Sequence, residues 1–245
     1  MIYISKKGLP GSVKGQIISL RKSDRWKRIP GNDTKAIRSI FDNEFPKAEV
    51  KRFLIHEQHG LCAYCMRRIR DDGHSRVEHF VPLSKDKDKA IDYENMLGVC
   101  DGSEQIIGRT ENLLCCDARK GEEEIYTNPL DKTQMDKIAY DKRGRIFTNP
   151  LDANMEKDIN EVLLLNGEVE PGRESFDPST EFIRGRRDAY LRANNMLDSL
   201  GRKCSSAAVK RIIDRIQSEE IQDEYVGVIL FRLNKKYKSL VRQGL

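Results

Sequence analysis

Five of the chain's six cysteines fall between positions 62 and 116, and this clustering constrains the fold more than any other feature. They are Cys62, Cys65, Cys100, Cys115 and Cys116; the sixth, Cys204, stands apart. A chain of 245 residues can bury a core without cross-links. Its start, Met-Ile-Tyr-Ile-Ser-Lys-Lys, lacks the apolar core of an export signal, so a cytoplasmic protein is expected and disulfides are not. Metal binding is the better use for such thiols. Cys62-Ala-Tyr-Cys65 lets two thiolates reach one ion from a zinc knuckle, and a closed tetrahedral site needs two more. Cys100 offers one. Cys115 or Cys116 offers the other, since neighbouring thiols point in different directions. The expected ion is a structural Zn²⁺.

The net charge of +5 hides a division along the chain. Residues 1–60 carry 13 basic against 6 acidic side chains, and residues 181–245 carry 14 against 8. Residues 61–180 reverse the balance, with 17 against 25. An acidic centre between basic ends suits a cation-holding site whose flanks attract polyanions. The longest apolar run, Val226–Phe231, is far below the roughly 18 residues of a membrane span, so no membrane association is expected.

Between the cysteine pairs lies Arg76-Val-Glu78-His79-Phe-Val-Pro82-Leu83, which reads as a strand turning at the proline. Tyr93-Glu-Asn95-Met-Leu-Gly-Val-Cys100 follows, then Cys116-Asp117-Ala-Arg119-Lys120-Gly121 at the start of a helix. These residue types suit phosphodiester hydrolysis, which needs a base for water, a hard cation at the phosphate and a group that holds the base in register. With an ordinary pKa near 6.5, His79 can accept a proton at neutral pH. Glu78 and Asp117 offer hard oxygen ligands to Mg²⁺ or Mn²⁺. Asn95 can hold either the backbone of the segment or the imidazole. Lys120, Arg119 and Arg76 are candidate contacts to nucleic acid. His56 and His59, on a helix expected over Ala48–His59, are rival metal ligands.

The ordered set, C-x-x-C, acid-His, Asn-x-x-x-x-Cys, Cys-Asp-x-x-Lys, resembles the HNH endonuclease superfamily in its zinc-stapled form. The resemblance implies a ββα-metal finger in which His79 is the general base and Glu78 the preceding acid. It also implies that Asn95 is the middle asparagine and that Asp117 stands where a His or Asn usually binds the catalytic metal. Cys62, Cys65, Cys100 and Cys116 then match the zinc ligands. Three departures stand out: Asp at the last position, Glu before the histidine, and 15 residues rather than two between Cys100 and Cys116. That insertion contains a rival asparagine, Asn112, and the rival thiol Cys115. The wider layout also looks like the PtuB family of HNH nuclease subunits from Septu-type and retron-associated anti-phage systems. That likeness implies a PtuA-type ATPase partner and, in retron-associated members, a reverse transcriptase with its DNA. The alternative function is a zinc finger that binds nucleic acid or protein without cutting it.

The expected fold class is α+β: a ββα-metal HNH finger stapled by a four-cysteine zinc site and embedded between helical N-terminal and C-terminal regions. Residues 1–55 read as a basic helical lead, 56–125 as the nuclease core, 126–154 as hairpin and linker, and 155–245 as helical. Asp33 or Thr34 caps a helix through Phe41. Trp26, within a basic run, either stacks on nucleic acid or anchors the lead. Residues 137–147 form a hairpin turning at Arg143-Gly144, flanked by the echo Thr-Asn-Pro-Leu-Asp at 127–131 and 148–152. Ile159–Leu165 is expected to be helical, followed by helices over 182–200, 205–217 and 223–241. Arg184, Arg186, Arg187, Lys235, Lys236 and Lys238 are the basic residues there available to nucleic acid, and Cys204 is expected as a buried small residue of a helix.

Overall fold

A computed structural model describes residues 1–103, 114–167 and 178–244. The chain is mixed helix and sheet, with two small antiparallel sheets. Four helices lead: α1 (Gly11–Lys22), α2 (Asp24–Arg28), α3 (Thr34–Asn43) and α4 (Lys47–Glu57). The expected cap of α3 forms, Asp33 accepting from the Ala36 amide at 3.0 Å. Ile37, Ile40 and Phe41 give α3 one apolar face, and all three are buried. Just past α4, His59 and Gly60 both take positive φ, and there the chain swings toward the first cysteine pair.

The first sheet pairs β1 (Ser75–His79) with β2 (Met96–Cys100), in a register running from Ser75↔Cys100 to His79↔Met96. Residues opposite one another share a face, and successive residues alternate. Val77 and Met96 join a core with α1–α4, whereas Leu97 and Val99 join a second core beneath the cysteines. The helical lead is thus packed into the sheet rather than appended to it. Trp26, only 2% exposed, is an anchor: the Lys87 ammonium lies 4.9 Å from its ring centre and donates to its carbonyl.

Beyond β2 comes α5 (Cys116–Lys120), then α6 (Lys132–Met135) and the expected hairpin of β3 (Ile138–Tyr140) and β4 (Ile146–Thr148), with Gly144 at φ 91° in its turn. The segment expected to be helical from Ile159 is instead α7 (Ala153–Lys157) running into a π-helical turn over Asp158–Val162. Three helices close the fold: α8 (Pro178–Asp198), α9 (Ser206–Ser218) and α10 (Val226–Arg242). Arg186 is buried among them. It donates to the carbonyls of Gly144 (2.6 Å) and Leu165 (2.7 Å), so it fastens the hairpin to α8 and is removed from any nucleic-acid surface. Arg184, Arg187, Lys235 and Lys238 are on the surface side of their helices, and Lys236 is half-buried. Cys204 lies half-buried in the turn between α8 and α9, not within a helix. Among the described residues, no helix is long and apolar enough to cross a membrane.

Candidate metal centre and adjoining cleft

Cys62-Ala-Tyr-Cys65 lies in a tight reversal closed by a bridge between Leu61 and Arg68. The Cys62 amide donates to the Arg67 carbonyl, and the Met66 amide to the Cys62 carbonyl. Met66 takes φ 63°, which frees the Arg67 amide to donate to Cys65 Sγ at 3.5 Å. Gln58 ties this reversal to β2: its side-chain amide donates to the carbonyls of Leu61 (2.9 Å) and Gly98 (2.7 Å) and accepts from the Gly98 amide (2.7 Å). Cys100 ends β2 beside it. Gly102 lets the returning chain approach, since a Cβ there would stand 2.2 Å from the Cys115 carbonyl oxygen. Cys116 then opens α5 at φ 53°.

The result is one group of four buried sulfurs, Cys62, Cys65, Cys100 and Cys116, all within 4.8 Å of one another. This group could hold a metal ion, and it answers which of the two adjacent thiols joins. Cys116 does; Cys115 is buried alongside. Burial pushes the Cys62 thiol well up, and hydrogen bonding to Cys100 does the same for Cys116, while bonds from Cys115, Cys116, Cys62 and Cys65 pull Cys100 well down. Cys65 is also held below the ordinary thiol range, against its burial, so the four sulfurs differ in their affinity for a proton, and a bound cation would favour the thiolate at each. Arg67 stands against it, donating to Cys100 Sγ at 3.5 Å and to Ser103 Oγ at 3.4 Å, with its guanidinium 4.7 Å from the Phe182 ring centre. Burial opposes the Arg67 charge, but the surrounding sulfurs outweigh it and hold the guanidinium firmly protonated. His56 and His59 take no part: His56 meets Glu220 at the surface, and His59 Nδ1 faces the carbonyls of Glu219 and Glu220.

At the other end of the sheet His79, Glu78 and Asp117 line one cleft of about 420 Å³. His79 is 5% exposed and its ring meets Phe41 edge-on, 4.6 Å between centres. Its Nε2 lies 3.0 Å from the Ala90 carbonyl. A carbonyl only accepts, so Nε2 carries the proton and Nδ1 keeps its lone pair. Burial, with help from the Arg38 charge, pushes the imidazole pKa down to about 4, so the ring is neutral at pH 7. Asn95, also buried, does not touch the ring. Its amide accepts from Val81 N (2.8 Å) and donates to the carbonyls of Val81 (2.9 Å) and Lys89 (3.0 Å). Of the two expected uses, holding the backbone is the one found, and it fixes the turn that presents the Ala90 carbonyl.

Glu78 and His79 alternate along β1, yet both side chains reach the cleft that Asp117 also lines. Glu78 accepts from Lys120 Nζ (2.8 Å), the Tyr64 hydroxyl (3.2 Å) and the His79 amide (3.0 Å). Burial first, and then the facing Asp117 carboxylate, push Glu78 well above the usual range, and Lys120 works against both. Lys120 also donates to the His79 carbonyl at 3.2 Å. Its side chain is wholly buried, which corrects the expectation that it meets phosphate. It instead clamps α5 to the end of β1. Arg76 stands 3.7 Å from Asp117, and Arg119 is half-buried on α5. Among the described residues only the four cysteines form a group of three or more metal-ligating side chains. Asn112 lies outside the described residues.

Sequence reasoning missed Gln58, Tyr64, Arg67, Phe41 and Arg38. The first three lie in or beside the C-x-x-C segment, where the sequence does carry a signal. Phe41 and Arg38 reach the cleft only because α3 packs against the sheet, and no local pattern reports that. Comparison with protein-family models and with curated proteins finds no match for this chain.

Proposed function

We propose that the chain is a metal-dependent endonuclease of the HNH type that hydrolyses nucleic-acid phosphodiesters, with DNA favoured and RNA the other candidate. The observation that carries this reading is His79: a buried neutral imidazole, its Nε2 occupied by Ala90, its Nδ1 without a hydrogen-bond partner among the described residues, in one cleft with Asp117. In this reading β1, β2 and α5 are the ββα-metal finger. The four sulfurs hold structural Zn²⁺. Tetrahedral coordination at a Zn–S distance of about 2.3 Å needs sulfurs about 3.8 Å apart, and Cys65 and Cys100 stand at 3.8 Å.

Asp117 and Glu78 would hold the catalytic cation, Mg²⁺ or Mn²⁺. Two facing carboxylates, one driven toward its neutral form by burial and then by the other, are a donor set that a hard cation relieves. When bound, that cation neutralises charge developing at the scissile phosphate. His79 Nδ1 takes the proton of the attacking water as its oxygen bonds to phosphorus and the bond to the leaving oxygen breaks. Ala90 and Phe41 hold the ring for this, while Asn95 and Lys120 act on the backbone either side of it and are positioning residues.

The test is cleavage of labelled DNA and RNA with Mg²⁺ or Mn²⁺ by wild type and His79→Ala, with metal counted in both. Loss of cutting at unchanged zinc content supports the reading. Cutting at the wild-type rate by His79→Ala overturns it, and nucleic acid bound but uncut by wild type makes the chain a binding module. The PtuB-like resemblance extends the proposal to a PtuA-type ATPase partner in prokaryotic anti-phage defence, with a retron reverse transcriptase and its DNA in some assemblies. Co-purification from a cell expressing the neighbouring genes tests that extension.

A further inference from the structure

Three cations stand round the cleft: Arg38, Lys47 and Arg76. Lys47 is engaged by Asp42 at 2.8 Å, with its ammonium 4.9 Å from the Phe41 ring centre. Arg76 lies 3.7 Å from Asp117. Arg38 differs from both: it is exposed and, among the described residues, makes no hydrogen bond or ion pair. It sits on α3 three residues before Phe41, hence on the same side of the helix as the ring that packs against His79. Its charge is felt at the imidazole. A guanidinium that lines one cleft with a neutral base and two carboxylates has lost no donor to the described residues, and its planar fork suits phosphate oxygens.

We propose that Arg38 binds a phosphate of the nucleic-acid strand at the mouth of this cleft, so that the N-terminal helical lead supplies part of the substrate site. The inference rests on the nuclease reading of the cleft and adds a residue that lies outside the finger. It names the ligand by chemistry, a phosphodiester anion, and so applies to DNA and RNA alike. Arg38 adds no proton transfer; it fixes the strand against the base.

The experiment measures binding of a labelled duplex DNA, and separately of a single-stranded RNA, to the full chain carrying His79→Ala, across a salt series. Arg38→Gln in that background should weaken binding about tenfold at low salt, as loss of a charge-assisted contact does. It should also reduce the slope of log K against log salt by about one. Arg38→Lys should restore most of the slope and only part of the affinity. In the otherwise wild-type chain, Arg38→Gln should raise KM more than it lowers kcat. An unchanged slope with Arg38→Gln, in a protein that binds and cuts, overturns the Arg38 assignment alone. A protein that neither binds nor cuts overturns the cleft reading with it.

Discussion

The four-sulfur group and the cleft share the β1–β2 sheet and α5, yet one is closed and the other open. The sulfurs are all buried, mutually within 4.8 Å, and backed by Arg67 and Gln58. The cleft is lined by the His79 imidazole, by the Asp117 carboxylate that Arg76 faces at 3.7 Å, and by Arg38, which makes no side-chain hydrogen bond or ion pair among the described residues. On the proposed reading, this is the contrast between a site that stabilises a fold and one that must admit a substrate. A single turn of helix joins them, since Cys116 belongs to the first and Asp117 to the second. Lys120, at the far end of that turn, bonds Glu78 and the His79 carbonyl. The closed site is therefore a brace for the open one.

The contrast breaks most visibly at Cys65. Zinc binding contributes about 10–16 kcal/mol in isolated finger modules, as much as the whole stability of an ordinary domain. Cys65→Ser should abolish stoichiometric zinc and cooperative unfolding near the wild-type temperature, seen by metal analysis and calorimetry. A variant that melts like wild type would mean that the fold stands without the brace. His79→Ala is the opposite case: cutting should fall roughly 10²–10⁴-fold, the usual contribution of a general base, at one zinc per chain. The same residue sets a pH signature. A histidine depressed from 6.5 to about 4 stays neutral in the fold while the unfolded chain protonates, so stability falls as pH drops from 6.5 towards 4. Protonation of His79 itself should limit kcat/KM only well below pH 6.5. Melting curves of wild type and His79→Asn across that window test it, the variant losing much of the slope.

What the sequence made legible follows how local the cause was. The C-x-x-C reversal, the Asp33 cap, the Gly144 hairpin and the three C-terminal helices are read from spacing and turn chemistry within a dozen residues. Cys116 could be preferred over Cys115 only by resemblance, because the choice depends on a φ of 53° and on Gly102 admitting the Cys115 carbonyl. Lys120 and Arg186 look like surface cations in a string of letters. Their burial depends on acceptors 41 and 42 positions away, His79 for Lys120 and Gly144 for Arg186.

Asn95 sharpens the comparison at a middle scale, since it lies in the open site but acts as a fastener. Asn95→Ala removes three buried hydrogen bonds at about 1 kcal/mol each, so a loss of about 2–3 kcal/mol is expected in denaturant unfolding. Cleavage should also fall, through misplacement of the Ala90 carbonyl, with zinc retained. A variant that cuts normally would show that the turn holds His79 without its amide.

The smallest effect is expected at Arg67, and it bears on how closed the sulfur site is. Four thiolates around a divalent cation keep two negative charges, and burial makes that excess costly. Arg67 is the half-buried cation in contact, through its guanidinium on Cys100 and its amide on Cys65. Groups of this kind typically change metal affinity by roughly 10–100-fold. Arg67→Gln should therefore weaken zinc about tenfold in chelator competition while leaving the four-sulfur geometry in place. Arg67→Lys should recover part of the loss, because the charge returns without the planar fork. Equal zinc affinity in all three proteins would mean that the sulfurs and their backbone donors suffice. The contact of Arg67 with Phe182 would then serve only to dock α8 against the centre.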